Sequence, residues 1–125
     1  MVDKTIKILF VEDSEVQQEL GIYRLENLGF RNVTGVSNGV EAIAYVEKNP
    51  VDLIISDWDM PEMDGLEFLK SIRSKPDLQN IPFVMMTADG KPAKDFAAKK
   101  EGVTEFLLKP VSNETLSGII KKIFN

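Results

Sequence analysis

The chain has 125 residues, 43% apolar and 28% charged, which is one domain's worth with enough apolar content to bury a core unaided. It has no cysteine and no histidine, so disulfides, thiolate or imidazole metal sites and histidine-dependent nucleophilic catalysis are excluded. With 20 acidic against 15 basic residues the net charge is −5, which disfavours nucleic acid as a direct partner. No apolar run approaches the roughly 20 residues of a membrane span, and the N-terminus lacks the apolar segment of a signal peptide. The expectation is a single cytoplasmic-type domain over residues 1–125, whose chemistry uses carboxylates, hydroxyls, lysines and backbone.

In chain order, Ile6 to Val11 reads as a buried strand, because its apolar residues are continuous rather than alternating. Ser14 with Gln17 fits a capping box, and Val16, Leu20 and Tyr23 behind it form an i, i+4, i+7 apolar stripe. Gly29 is the natural stop of that helix. Asn32 to Val36 is a second strand, and Asn38 with Glu41 opens a helix ended by Pro50. Leu53 to Ser56 is a third strand, followed by a helix lined by Leu66, Leu69 and Ile72. Phe83 to Met86 is a fourth, with Met85 and Met86 as core, followed by a short helix through Phe96 and Ala97 that stops near Gly102. Glu105 to Leu108 is a fifth, and Leu116, Ile119, Ile120 and Ile123 stripe the last helix. Strict alternation with apolar strands predicts an α/β doubly wound parallel sheet covered on both faces.

In such sheets ligands bind beyond the carboxyl ends of the strands. Strand 1 runs into Glu12-Asp13, strand 3 into Asp57-Trp58-Asp59, strand 4 into Thr87-Ala88 and strand 5 into Lys109-Pro110. Taken singly, an acidic pair opens helices, a terminal threonine is ordinary and a lysine is a solvated group. Together they bring several like charges to one rim, which repulsion disfavours unless a cation sits among them. Oxygen ligands drawn from separate strands suit magnesium better than a local calcium loop.

These residues, with the run from Ser56 to Glu67 (Ser-Asp-Trp-Asp-Met-Pro-Glu-Met-Asp-Gly-Leu-Glu), resemble the receiver domains of two-component response regulators, the chemotaxis regulators in particular. The resemblance covers essentially the whole chain. It implies a flavodoxin-like sheet of five strands in the order 2-1-3-4-5 flanked by five helices. It implies that Asp57 is the phosphoacceptor and that Mg2+ is held by Glu12, Asp13, Asp57 and the backbone carbonyl of Asp59. Lys109, the Thr87 hydroxyl and the Ala88 N–H would bind the phosphoryl oxygens, and the Lys109–Pro110 peptide would be cis. Thr87 and Phe106 would form the switch that alters the face made by helix 4, strand 5 and helix 5. The implied partners are a sensor histidine kinase or phosphotransfer domain as donor and a downstream target protein. Self-catalysed dephosphorylation would return the domain to rest.

Some positions depart from the chemotaxis pattern. Residue 106 is Phe rather than Tyr, which can bury inward but offers no hydroxyl to a partner. Asp59 and Asp89 add carboxylates beside the site and are candidates for tuning its kinetics. Lys91, Lys94, Lys99 and Lys100 read as a solvated helix face. Asp57-Trp58-Asp59 also matches the start of haloacid dehalogenase phosphatases, but that group places it after strand 1. A flavodoxin would need a phosphate loop where Glu12-Asp13 stands. A docking module without phosphorylation, a phosphorelay intermediate, a domain of a larger regulator and a stand-alone regulator complete the alternatives; the stand-alone form fits best.

Overall fold

The computed structural model describes residues 2–125. Its elements alternate without exception: β1 (Lys7–Val11), α1 (Glu15–Asn27), β2 (Asn32–Val36), α2 (Gly39–Lys48), β3 (Leu53–Asp57), α3 (Gly65–Ser74), β4 (Phe83–Thr87), α4 (Pro92–Lys100), β5 (Glu105–Leu108) and α5 (Asn113–Phe124). The strands form one parallel sheet in the order β2-β1-β3-β4-β5, as the sequence and its family resemblance led us to expect. The interior strands β3 and β4 are buried at every residue, whereas the edge strands β2 and β5 have no fully buried position.

Successive strand residues point to opposite faces, and the core divides accordingly. Leu9, Val11, Ile54, Phe83 and Met85 pack beneath α2, α3 and α4, against Val46, Phe68, Leu69, Ile72 and Ala98. Ile8, Phe10, Leu53, Ile55, Val84 and Met86 pack beneath α1 and α5, against Leu25, Leu116 and Ile120. This two-sided covering is what the unbroken apolar strands demand.

The helix ends follow from local chemistry. Asp64 and Glu67 make a reciprocal capping box on α3. At α1 only half of the expected box forms: Ser14 Oγ accepts the Gln17 N–H at 3.3 Å. Gly29 and Gly102 adopt φ of 100° and 86° just past α1 and α4. In each case the residue after the glycine donates its N–H five residues back, Phe30 to Leu25 and Val103 to Ala98. These are Schellman endings, for which the left-handed conformation favours glycine. Arg73 ties the far end of the molecule, donating from Nε to the Gly102 carbonyl at 3.0 Å and from Nη1 to the Ile81 carbonyl at 2.7 Å.

One expectation is overturned. Val16, Leu20 and Tyr23 do not face the core; they are 65%, 50% and 62% exposed. The buried row of α1 is Gly21 and Leu25. A Cβ at Gly21 would collide with the Phe10 ring, so the helix lies against β1 at the position with no side chain. Among the described residues no helix is long and apolar enough to cross a membrane.

Candidate functional site

Sheet register sets the site. Val11 lies level with Ser56, Asp57 with Met86, and Thr87 with Leu108. Glu12, Asp57, Thr87 and Lys109 therefore leave the sheet within about one residue of a common line. The ladder continues just past the strand ends: the Glu12 N–H donates to Val36 O at 3.0 Å, Trp58 N–H to Met86 O at 2.9 Å, and Lys109 N–H to Thr87 O at 2.7 Å. Backbone pairing thus fixes the positions from which these side chains project.

Glu12, Asp13 and Asp57 each place a carboxylate oxygen within 4.8 Å of the others. Glu12 and Asp57 are 3% and 6% exposed, and Asp13 is on the surface. Lys109 Nζ reaches across the sheet to Asp57 Oδ1 at 2.9 Å and Glu12 Oε1 at 3.1 Å. No ion pair reaches Asp13 among the described residues. Three carboxylates therefore face one ammonium.

Burial and, after it, the Asp57 charge push the Glu12 carboxyl up to about 7, against the pull of Lys109. For Lys109, burial alone would lower the pKa. The hydrogen bonds and charges of Asp57 and Glu12 outweigh it and leave the pKa raised. The set has only oxygen donors, an excess of negative charge and one surface-facing member. A hard divalent cation that keeps part of its water shell fits that description.

Thr87, at the end of β4, is fully buried, and its Oγ1 accepts the Asp89 N–H at 3.1 Å. Ala88 is exposed beside it, and the Lys109–Pro110 peptide is cis. Phe106 on β5 is half-buried and meets the Trp58 ring edge-on, with centroids 6.0 Å apart. A groove of about 500 Å³ opens between α1 and α5, with Glu12 and Lys109 at its polar end and Phe10, Leu20 and Leu116 along its walls.

The loop after Asp57 is tightly built. Glu62 has φ 68°, flanked by a hydrogen bond from Met63 N–H to Pro61 O at 2.8 Å, so the chain makes a γ-turn there at some backbone cost. The Gly65 N–H then donates to Trp58 O at 2.8 Å, and a Cβ at Gly65 would come within 2.5 Å of the Asp57 carbonyl. Only glycine lets α3 begin so close to the strand end.

Asp59 is not brought into the acidic trio. Its side chain is 64% exposed and pairs with Lys94 Nζ at 3.5 Å. Asp89 turns the same way, toward Lys91 at 3.7 Å and Lys94 at 3.8 Å. Lys94 is thus a correction to the reading of its helix face as solvated, because its side chain is only 24% exposed and lies over Trp58. Nothing in the local sequence separates it from its neighbouring lysines.

The response regulator receiver domain family model matches residues 8–121. The chain is 33% identical to the chemotaxis protein CheY-3 of Vibrio cholerae over 124 residues, covering 99% of this chain and 95% of that protein. It superposes on the chemotaxis response regulator CheY4 of Vibrio cholerae with a TM-score of 0.87 and 34% identity, covering 95% of this chain and 98% of the other. It also superposes on the receiver domain of the sensor histidine kinase PA1611 from Pseudomonas aeruginosa, at TM-score 0.86 and 29% identity over 94% of this chain and 96% of that one. That structure has a magnesium ion coordinated in its active site cleft. Sheet order, rim residues and full-length similarity agree: the chain belongs to the receiver-domain family of two-component response regulators, with chemotaxis proteins of the CheY type among its relatives.

Proposed function

We propose that residues 1–125 act as one phosphorylation-activated receiver, with Asp57 as the phosphoacceptor. The carrying observation is the Glu12–Asp13–Asp57 trio with Lys109 Nζ 2.9 Å from Asp57 Oδ1. Mg2+ would be held by Glu12, Asp13, Asp57 and the Asp59 carbonyl. When bound it supplies positive charge for the phosphoryl oxygens and orients the donor.

This chain's residues do the rest. An Asp57 carboxylate oxygen attacks phosphorus in a phosphohistidine of a kinase or phosphotransfer domain. The P–O bond forms as the N–P bond breaks, and the leaving imidazole takes up a proton. Because phosphoryl transfer is loose, positioning and charge neutralisation supply most of the catalysis. Lys109 moves its charge from the carboxylates toward a phosphoryl oxygen, and the Thr87 hydroxyl and Ala88 N–H hydrogen-bond the others. Water then cleaves the acyl phosphate, returning the Asp57 carboxylate and inorganic phosphate.

Recruiting Thr87 draws on the hydroxyl that now accepts the Asp89 N–H, so the β4–α4 loop moves with it. Phe106 turns behind it, and the α4–β5–α5 face changes shape for a downstream target protein. The event is a shift between two conformers biased by local charge. The domain works in the cytoplasm. The likeness to a receiver of a sensor histidine kinase favours a second setting, in which the same chemistry passes phosphate along a relay.

The test is intact mass after incubation with Mg2+ and acetyl phosphate, beside Asp57→Asn. The parent should gain one phosphoryl group, about 80 Da, and the variant none. A parent that gains no mass even under rapid quench overturns the assignment.

A further inference from the structure

Asp59 and Asp89 occupy equivalent places, each two residues past a site residue, Asp57 and Thr87, on neighbouring loops. A third element holds both. Lys94 Nζ, from the first turn of α4, lies 3.5 Å from Asp59 Oδ1, 3.8 Å from Asp89 Oδ2 and 5.1 Å from the centroid of the Trp58 ring. Two of these partners, Trp58 and Asp89, are themselves fixed. Trp58 is buried, with its backbone N–H on Met86 O at 2.9 Å. Asp89 donates its N–H to Thr87 Oγ1 and accepts the Lys91 N–H at 3.1 Å. The aromatic face seats the lysine stem and its charge, so the ammonium has a defined position rather than a solvated spread of rotamers. Lys91 also approaches Asp89, but its side chain is 76% exposed.

We propose that Lys94 is a positioning residue that clamps Asp59 and Asp89 at the mouth of the site and neutralises them there, and so sets the electrostatic balance met by an incoming cation or phosphodonor. Two carboxylates beside an already acidic trio would strengthen the pull on cations and repel anions. Lys94 cancels one of those charges and holds both carboxylates toward α4. The phosphodonor and the Mg2+ site rest on the reading given above; the placement of Lys94 between the two carboxylates does not.

Lys94→Met keeps the stem over Trp58 and removes the charge. At low ionic strength it should tighten Mg2+ binding, measured by calorimetry, about threefold, and slow adduct formation from acetyl phosphate by a similar factor. A lysine that served only to hold the loops would weaken both when lost. Lys94→Arg should retain parental values, and Asp89→Asn added to Lys94→Met should return both measurements toward the parent. At 1 M salt, where the Debye length is about 3 Å, parent and variant should converge. Equal Mg2+ affinities at low salt, or both measurements falling together, would overturn the clamp. Absence of the adduct in the parent would overturn the phosphoacceptor reading instead, and the calorimetric comparison would still decide the role of Lys94.

Discussion

Lys109 and Lys94 each hold two carboxylates at the same rim of the sheet. Lys109 meets Glu12 and Asp57, whose side chains are almost wholly buried, at 3.1 and 2.9 Å. Lys94 meets Asp59 and Asp89, both open to water, at 3.5 and 3.8 Å. Each lysine meets two carboxylates, yet the consequences differ with burial. In the inner cluster desolvation leaves Glu12 reluctant to ionise, and removing one partner strands the others. In the outer cluster water screens every term, so the pairs contribute little to stability and act chiefly through the field they shape. The same residue types thus build a reactive centre in one place and an electrostatic border in the other.

The sharpest way to break this contrast is Lys109→Met. Two buried carboxylates lose the lysine that pairs with both, and the apo domain should lose about 3 kcal/mol in urea unfolding. Added Mg2+ should recover part of that loss. A cost as small as that of a surface lysine would show that the inner cluster is wetter than its exposure suggests.

An effect of comparable size, spread over a pH range, is expected from Glu12. Because the Glu12 carboxyl is raised to about 7, the folded state binds more protons than the unfolded chain between the ordinary glutamate value of 4.5 and 7. Stability without divalent ions should therefore fall as pH climbs through that window, with the full cost present above about 7 and none below about 4.5. A rise of that size corresponds to about 3 kcal/mol at most. Glu12→Gln should flatten the slope, as should Mg2+, which competes with the proton. A flat profile in the parent would place Glu12 in solvent-like surroundings.

The smallest effect belongs to the outer cluster. Asp59→Asn should shift unfolding by no more than about 0.5 kcal/mol, since exposed pairs rarely do more. A loss near that of Lys109→Met would erase the distinction between the clusters.

Much of this arrangement was legible in the sequence. The unbroken apolar runs at Leu53 to Ser56 and Phe83 to Met86 placed the interior strands, and the polar residues after each run placed the rim. Strand order came from the family resemblance rather than from the runs. What resisted reading was tertiary. On α1, Val16, Leu20 and Tyr23 form a row as regular as any buried stripe, and one of the two buried residues is a glycine, which carries no hydropathy signal. The choice of face was made by the Phe10 ring, which needs the space a side chain would fill. On α4 and at its N-cap, four lysines look alike along the chain. Only the return of the β3–α3 loop brings Trp58 beneath Lys94.

The two ends of α4 are held by different means. Its C-terminal end is locked by the Schellman turn at Gly102, by buried Ala98 and by the Arg73 guanidinium on the Gly102 carbonyl. Its N-terminal end begins at Lys91 and Pro92 with no side-chain cap, and rests on the screened ion pairs of Lys94. The fastening is therefore uneven. A displacement of α4 hinged at Gly102 would leave the C-terminal turn nearly still and give the longest stroke to the first turn, which adjoins Asp89 and the end of β4.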